Sequence, residues 1–353
     1  MTVTYHAGNR IQGTSTDFNG IPAIQGGWKE VGRTTLGSAG DTISVSSLAD
    51  KKYYMILNNC LPSGNTNCFV RANNDTGSNF ATRGSYNGAS DTTNSSNNAY
   101  LPDRGIEESS TDWFGVTYLA NLSTKEKLFH TEMSNANTSG ASTAPERAQS
   151  IGKWANTSDA INRVDFLNSA AGNFDTNSEV VILGYDPDDT HTDNFWEELA
   201  DVTLGSVGDN ISSGTINSRK YLWVQTYISD TGGQDGVNMT FNNDTGNNYA
   251  FRRNNNGGTD ATTTSTSHIT LHSSEVTEDL FSNLFIINNS SNEKLVIGYT
   301  IQNHTLGAGT APIRKKFIGK WSNTSSQITE IDFDNTSTGS YDTNSFIKVW
   351  GSN

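Results

Sequence analysis

Cysteine is scarce in this chain of 353 residues, and long apolar runs are missing. The two cysteines, Cys60 and Cys68, are too few for a disulfide scaffold and have neither the number nor the spacing of zinc ligands. No stretch approaches the roughly 18 consecutive apolar residues of a membrane-spanning helix, and residues 1–13 lack the basic and apolar segments of a signal peptide. We therefore predict no membrane segment and no secretion signal.

Charged residues, at 17%, and hydrophobic residues, at 33%, are also few, and Asn, Ser, Thr and Gly take their place. These residues favour turns and extended segments over helices. An aromatic content of 10% nevertheless indicates a buried core, because disordered chains carry few aromatic residues. With 23 basic and 37 acidic residues, the net charge of −14 disfavours nucleic acids and anionic membranes as partners.

The strongest pattern is an internal repeat with a shift of about 168 residues. Residues 35–41 (TLGSAGD) match 203–209 (TLGSVGD), and NNDTG occurs at both 73–77 and 242–246. Near the ends of the two copies, GKWANTS at 152–158 matches GKWSNTS at 319–325. The two copies must therefore share one fold.

The repeat predicts two homologous domains, at residues 28–186 and 196–353. The period exceeds the roughly 20 to 50 residues of solenoid repeats, so each copy is a complete domain. Residues 187–195 are predicted to form a short acidic linker. Residues 1–27 are Gly-rich and unrepeated, which predicts an extended arm without a core of its own.

Strand patterns dominate both copies. In residues 220–228, alternation places Leu222, Val224 and Ile228 on one face of a half-buried strand. Alternation resumes at residues 237–241 after a Gly-Gly pair, and we interpret the two segments as a β-hairpin.

Turn motifs such as Asn-Gly, at 87–88 and 256–257, separate the strands. No segment shows the helical periodicity of apolar residues over three turns. The predicted fold class is all-β: two tandem homologous antiparallel β-sandwich domains, jelly-roll-like, with an extended amino-terminal arm.

Two groups of residues resemble domains of virion structural proteins from tailed phages, including marine ones, and related viruses. The first is the Asn-Asp-Thr-Gly turn with its flanking residues, at 71–80, where Ala72 replaces the usual Phe, and at 241–249. The second is the terminal pattern that begins with Trp, at 154–184 and 321–351. The resemblance covers about nine tenths of the chain. It implies a capsid, capsid-decorating or tail-associated protein without catalytic residues.

Asp75 and Asp244 occupy equivalent positions in the two Asn-Asp-Thr-Gly motifs and could offer oxygen ligands to calcium or a sugar. We favour a structural turn, because Asn and Asp bond their own backbone and Gly accepts positive φ. The linker carboxylates lack the ligand spacing of an EF-hand, so we expect a solvated linker. They are Asp186, Asp188, Asp189 and Asp193.

His268 and His272 lie four residues apart, about 13 Å along a strand, which is too far to share a metal ion. We predict that they are surface or interface residues. The adjacent pairs Glu107-Glu108 and Glu197-Glu198 point to opposite faces if extended, so neither forms an acid–base pair. The sequence thus predicts no catalytic, cofactor-binding or metal-binding residue, and it identifies no partner contact.

Cys60 and Cys68 align with apolar residues of the second repeat, which favours two core thiols over a cross-strand disulfide. Trp154 and Trp321 recur at matching positions, and we expect them in the core rather than as exposed platforms for sugar stacking. Duplication favours the core because both copies need the same scaffold residue.

Taken together, these patterns predict a non-enzymatic virion structural protein: a capsid, capsid-decorating or tail-associated subunit. It is expected to form homo-oligomers and to dock on other virion proteins, with its arm clasping a neighbour. The predicted location is the virus particle, assembled in the host cytoplasm and extracellular thereafter. The alternative is a carbohydrate- or receptor-binding adhesin module with a glycan partner. An enzyme acting on polysaccharide would need two facing carboxylates, which the sequence does not offer.

Overall fold

The protein consists of two β-sandwiches in this computed structural model, and none of its described residues lies in a helix. Each sandwich combines an eight-stranded sheet with a four-stranded sheet. The predicted all-β class of two tandem antiparallel sandwiches is confirmed. Nothing among the described residues has the helical length and apolarity that a membrane crossing requires. The structure describes residues 24–25, 27–100, 110–191, 194–229, 231, 236–272, 279–303 and 307–353.

The first sandwich has the order β2-β13-β4-β9-β10-β11-β6-β7 in its large sheet and β3-β12-β5-β8 in its small sheet. The strands of this sandwich are β2 (Lys29–Thr35), β3 (Thr42–Ser46), β4 (Tyr53–Cys60), β5 (Phe69–Ala72), β6 (Phe80–Tyr86), β7 (Thr92–Ser96), β8 (Ala99–Tyr100), β9 (Trp113–Ala120), β10 (Lys127–Asn135), β11 (Glu146–Trp154), β12 (Arg163–Leu167) and β13 (Glu179–Tyr185). A separate two-stranded sheet consists of β1 (Ile24–Gln25) and β14 (Thr190–His191).

The second sandwich repeats this topology strand for strand, as β15-β26-β17-β22-β23-β24-β19-β20 and β16-β25-β18-β21. Its strands are β15 (Glu197–Thr203), β16 (Asn210–Ser212), β17 (Tyr221–Ile228), β18 (Val237–Phe241), β19 (Tyr249–Asn255), β20 (Ala261–Thr266), β21 (Ile269–His272), β22 (Leu280–Ile287), β23 (Lys294–Gln302), β24 (Ile313–Trp321), β25 (Ile331–Asp334) and β26 (Phe346–Ser352).

The hairpin predicted for residues 220–241 is wrong. β17 pairs with β22 and β26 in the large sheet, whereas β18 pairs with β21 and β25 in the small sheet. The alternation of apolar and polar residues shows which side chains of a strand face a core, but not which strands pair. β17 and β18 face the same core from opposite sheets. The chain therefore crosses between sheets here, and residues 232–235 of the crossing lie outside the described part.

β17 alternates between buried and half-exposed side chains, as predicted, except at its first residue. Leu222, Val224 and Ile228 face the core of the second sandwich, as the alternation indicated. The opposite face of the same strand contributes Tyr221 to a separate apolar cluster that includes residues of the first sandwich. The strand is therefore covered on both faces over part of its length.

The predicted Asn-Gly turns are confirmed by their backbone geometry. Asn87 and Gly88 have φ values of 47° and 77°, and Asn256 and Gly257 have φ values of 52° and 78°. Positive φ at both central residues suits the twist of a tight hairpin. These turns connect β6 to β7 and β19 to β20 in the two sandwiches.

The described linker carboxylates are accessible to solvent and also bind lysines of the first sandwich. Lys52 binds Asp186 at 3.0 Å and Asp188 at 3.1 Å, and Lys51 binds Asp189 at 2.6 Å. β14 of the linker pairs with β1, so two residues of the predicted arm lie against their own chain rather than a neighbour. Residues 1–23 and 26 of the arm, and Asp193, lie outside the described part.

Candidate functional site

The outer face of each large sheet carries an apolar patch at one end, which we call the upper patch. Its residues come from the adjacent strands β4, β9, β10 and β11 in the first sandwich and β17, β22, β23 and β24 in the second. In the first sandwich the upper patch is Tyr53, Tyr118, Leu128 and Ile151; in the second it is Tyr221, Phe285, Leu295 and Ile318.

The other end of each outer face forms a second patch, which we call the lower patch. In the first sandwich it contains Met55, Leu57, Phe114, Val116, Val181 and Leu183, all at most 2% exposed. The equivalent positions in the second sandwich hold Trp223, Gln225, Phe281, Asn283, Lys348 and Trp350, all half-buried.

The two sandwiches pack through one patch of each kind. Residues of the second sandwich's upper patch and the first sandwich's lower patch form one buried cluster. The rings of Phe114 and Tyr221 lie 6.3 Å apart across this contact, and the hydroxyl of Tyr221 donates to Glu179 at 2.8 Å. The contact is thus asymmetric, because it joins unlike ends of two like sheets.

No described residue covers the upper patch of the first sandwich in this way. Tyr53, Tyr118, Leu128 and Ile151 are 45%, 38%, 57% and 53% exposed, whereas their counterparts in the second sandwich are 0%, 5%, 0% and 2% exposed. These side chains line a groove of about 880 Å³. Because large apolar side chains seldom cluster on the surface of a monomer without a role, this groove is the candidate functional site.

Cross-strand register aligns the patch in two rows. One row runs Tyr118, His130, Ile151 and Arg83, and the next runs Tyr53, Ala120, Leu128 and Lys153. Side chains alternate along a strand, so these residues face outward while their neighbours face the core. Each row therefore ends in a cation at the rim of the groove.

Aromatic and charged side chains surround the apolar rows. Tyr185 lies 5.6 Å from Trp28 and 6.2 Å from Tyr53 between ring centres, which gives one edge of the groove an aromatic wall. At the rim, Lys153 binds Glu126 at 2.9 Å and Arg83 approaches Asp91 at 3.7 Å. Both ion pairs are exposed to solvent.

Glu132 connects the groove to the contact between the sandwiches. It binds His130 of the groove at 2.8 Å and Lys316 of the second sandwich at 3.2 Å. Burial by itself would raise the pKa of Glu132, but the hydrogen bond with His130 and the charge of Lys316 outweigh it and lower the pKa. Glu132 is therefore ionised at neutral pH.

The two Asp-Thr-Gly carboxylates are structural. The indole nitrogen of Trp154 donates to Asp75 at 2.7 Å, and Trp321 donates to Asp244 at the same distance. Each carboxylate also accepts hydrogen bonds from a Gly amide and an Asn side chain of its own turn. The predicted bonding of Asp to the backbone of its own turn is confirmed, but the expectation of positive φ at Gly of this motif is wrong: positive φ falls on Asn73, Asn74, Asn242 and Asn243. The core position of both tryptophans, which are at most 2% exposed, is confirmed.

The prediction of surface histidines is wrong for His272. This residue is 5% exposed, and its Nδ1 accepts a hydrogen bond from Lys315 at 2.6 Å. Burial, together with the charges of Lys315 and Arg253, lowers the pKa of His272 to about 3. His268 is half-buried and precedes β21. Among the described residues, no group of three potential metal ligands occurs.

The remaining predicted positions lie apart from the groove. Cys60 and Cys68 are free thiols in the core of the first sandwich, and burial raises the pKa of Cys68. Glu197 and Glu198 are exposed on β15, where Glu197 binds Arg219. Residues 107–108 lie outside the described part.

The open patch was not predicted from the sequence. A signal was present in the second repeat, where residues 284–287 (LFII) and 295–297 (LVI) are continuously apolar. Such runs are typical of strands that are buried on both faces. The aligned positions of the first repeat, including Tyr118 and Leu128, would then have been candidates for an equivalent contact.

No protein-family model matches the chain, and no curated protein matches it. Among solved structures it is similar to the LG4-5 domains of the mouse laminin alpha1 chain, with 11% identity, a TM-score of 0.19, and coverage of 92% of this chain and 90% of that chain. Human GIVD cytosolic phospholipase A2 aligns with 8% identity, a TM-score of 0.11, and coverage of 77% and 33%. Likeness at these scores carries no argument about function.

Proposed function

We propose that the protein is a non-enzymatic structural subunit of a virus particle, which assembles with copies of itself and with other virion proteins. The observation that carries this proposal is the exposed upper patch of the first sandwich. Its equivalent in the second sandwich is an established protein contact within the same chain. The upper patch of the first sandwich has apolar residues at the same positions but is exposed, so it is suited to binding another protein.

The chemistry of the groove favours binding over catalysis. Its lining contains aromatic, aliphatic, hydroxyl, amide and basic side chains but no carboxylate. Hydrolysis of a glycosidic bond generally requires two carboxyl groups on opposite sides of the bond. The described lining of the groove therefore supplies no acid–base pair for that reaction, and the rim carboxylates Asp91 and Glu126 are paired with Arg83 and Lys153.

We place the assembly in a virus particle because the turn and terminal motifs resemble those of phage virion proteins. Surfaces rich in Asn, Ser and Thr and poor in charge suit the wet, hydrogen-bonded contacts of large protein assemblies. The protein would be assembled in the host cytoplasm and leave it within the particle.

Mass spectrometry of purified particles tests this proposal. Particles from a culture that produces the protein are purified by density gradient, and the protein is quantified against a known shell or tail protein. A structural subunit is expected in multiple copies at a constant ratio to that protein. Its absence from the particles would contradict the proposal.

A glycan-binding module is the second candidate, and a specific observation favours it. Trp28, Tyr53, Tyr118 and Tyr185 line the groove, and aromatic rings beside polar rim groups such as Arg83 can stack on sugars. A glycan array compares the parent protein with Tyr118→Ala and with Tyr227→Ala, a half-exposed tyrosine outside the groove. Specific binding that is lost in Tyr118→Ala and kept in Tyr227→Ala would favour this alternative.

A further inference from the structure

We propose that chains join head to tail: the upper patch of the first sandwich of one chain binds the lower patch of the second sandwich of the next. This inference rests on the proposed self-association and specifies the two surfaces that carry it. The contact between chains would repeat the contact that already joins the two sandwiches within a chain.

The asymmetry of the internal contact leaves one patch of each kind outside it. Within the chain, the upper patch of the second sandwich meets the lower patch of the first. The remaining upper patch belongs to the first sandwich, and the remaining lower patch belongs to the second. Among the described residues, the remaining upper patch is exposed, and the remaining lower patch is half-buried, with Trp223 packed against Trp196. Two different surfaces that fit each other make a heterologous contact, which propagates into a ring or a filament.

Most exposed apolar residues lie on the upper patch of the first sandwich or at positions equivalent to residues buried at the internal contact. Seven large hydrophobic side chains of the described residues are exposed, and four of them form the upper patch. Leu122 aligns with Asn289, whose amide binds Asn59 across the internal contact. Ile301 aligns with Ser134, an outward-facing residue of β10 that is fully buried. Val207 is the one exposed hydrophobic side chain of this set that lies elsewhere.

The polar contacts of the internal junction have duplicates at the same ends that face solvent. Arg147 of the first sandwich binds Asp260 of the second at 2.8 Å, and both side chains are almost fully buried. Their counterparts are Arg314 at the lower patch of the second sandwich and Asp91 at the upper patch of the first. Asp91 approaches Arg83 of its own sheet at 3.7 Å, as Asp260 approaches Arg252 at 3.9 Å. Both counterparts are exposed, so Arg314 of one chain can bind Asp91 of the next.

A second duplicated contact involves a backbone carbonyl. The guanidinium of Arg252 donates to the carbonyl of Pro145 in the first sandwich at 3.0 Å. The counterparts are Arg83, at the end of an upper-patch row, and Pro312, which is exposed near the lower patch of the second sandwich. The same donor and acceptor are thus available between chains.

A third duplicated contact involves a glycine with left-handed backbone geometry. Glu293 of the second sandwich binds Lys320 and accepts a hydrogen bond from the amide of Gly140 in the first sandwich. The equivalent pair, Glu126 and Lys153, lies exposed beside the open patch. Gly307, the counterpart of Gly140, is exposed and has φ of 88°, close to the 86° of Gly140.

The lower patch of the second sandwich is more polar than that of the first, which fits a contact formed after folding. Met55 and Leu183 are replaced by Trp223 and Trp350, and aliphatic residues are replaced by Gln, Asn and Lys. Contacts between proteins that also exist apart are more polar than permanent ones and are enriched in aromatic residues. The chain can therefore remain soluble before it assembles.

Sedimentation velocity of the full chain over a range of concentrations tests the proposal. Leu128→Asp blocks the upper patch of the first sandwich. Ile301→Asp blocks the lower patch of the second, because Ile301 is the cross-strand partner of Phe281 in that patch. Val207→Asp is the matched control at a similarly exposed position. The parent and the control are expected to form a ladder of oligomers. Each patch variant is expected to associate at least ten-fold more weakly. Circular dichroism and thermal unfolding confirm that all variants are folded.

Mixing the two patch variants identifies the contact as head to tail. Leu128→Asp keeps an intact lower patch and Ile301→Asp keeps an intact upper patch, so the mixture is expected to stop at a dimer of one chain of each. Charge reversal gives a second readout: Asp91→Arg and Arg314→Asp should each assemble poorly alone and form alternating oligomers when mixed. Each variant alone would bury two like charges at the junction, and their repulsion and desolvation oppose assembly.

Two outcomes would overturn the inference, and they differ in what they say about the proposed function. If the parent assembles and Leu128→Asp assembles equally well, or the mixed variants give no dimer, the head-to-tail contact is wrong while self-association stands. If the parent remains monomeric at the highest concentration, both the inference and the proposed self-association fail.

Discussion

Arg147 and Asp260 form a buried ion pair, 2.8 Å long, that joins the first sandwich to the second. Both side chains are at most 5% exposed, and the carboxylate also accepts a hydrogen bond from Asn254. A charge pair that is shielded from water is costly to break by removing one partner, since the other charge stays buried. The pair therefore makes the relative position of the two sandwiches specific.

Arg147→Ala is expected to lower the free energy of unfolding by about 3 kcal/mol, because it leaves Asp260 buried without its main partner. Urea denaturation at low protein concentration measures this loss. The matched control is Arg314→Ala, at the exposed equivalent position, which should change stability by less than about 0.5 kcal/mol. Equal effects of the two substitutions would contradict the structure.

Asp75→Ala is expected to destabilise the first sandwich by about 1 to 3 kcal/mol, because the buried indole of Trp154 loses its hydrogen-bond acceptor. Asp244→Ala should do the same in the second sandwich through Trp321. Thermal unfolding of both variants, with Asp159→Ala in an exposed turn as the control, checks the prediction. Unchanged stability in both variants would indicate that the hydrogen bond from Trp to Asp does not stabilise the turn.

Glu179 makes part of the stability dependent on pH. Burial raises the pKa of this carboxyl, but the hydrogen bond from Thr35 and the charge of Lys220 outweigh burial and lower the pKa below 4.5. A lowered folded pKa means that the contribution is complete above pH 4.5 and is lost as the pH falls through the folded value.

Glu179→Gln is therefore expected to be less stable than the parent at pH 7, and the difference should shrink as the pH falls below 4.5. Urea midpoints of the parent and the variant between pH 7 and pH 3 measure this convergence. Glu197→Gln, at an exposed position, serves as the control and should follow the parent throughout. A constant difference between Glu179→Gln and the parent would show that ionisation of Glu179 does not contribute.

The two thiols of the first sandwich should be inert in the folded protein. Cys60 is 0% and Cys68 is 3% exposed, and burial raises the pKa of Cys68, which disfavours the reactive thiolate. A colorimetric thiol reagent is expected to label neither residue in native protein and both in urea. Rapid labelling of native protein, or the loss of both thiols to a disulfide, would disagree with this arrangement.

Much of the fold could be predicted from local patterns. The alternation of apolar and polar residues, the turn motifs and the repeated segments can all be recognised within short stretches of sequence. The Asn-Gly turns and the core face of β17 follow directly from the residues. Pairing could not be predicted in the same way. Val237 and Ile228 both face the core of the second sandwich, but alternation does not show that they belong to different sheets.

The candidate site depends on packing that no single segment specifies. Tyr53 and Tyr221 are the same residue at equivalent positions, as are Ile151 and Ile318, yet one of each pair is exposed and the other is buried. The difference arises because the sandwiches meet through unlike ends of like sheets. The sequence could show that these positions are apolar in both copies, but it could not show which copy is covered.

Cryo-electron microscopy of the assembled parent protein can show directly how successive sandwiches are related. Head-to-tail assembly predicts one repeated transformation from each sandwich to the next, so that the junction between chains superimposes on the junction within a chain and buries Leu128 and Ile301. Assemblies held together by two-fold symmetric contacts, or with the upper patch of the first sandwich facing solvent, would contradict it.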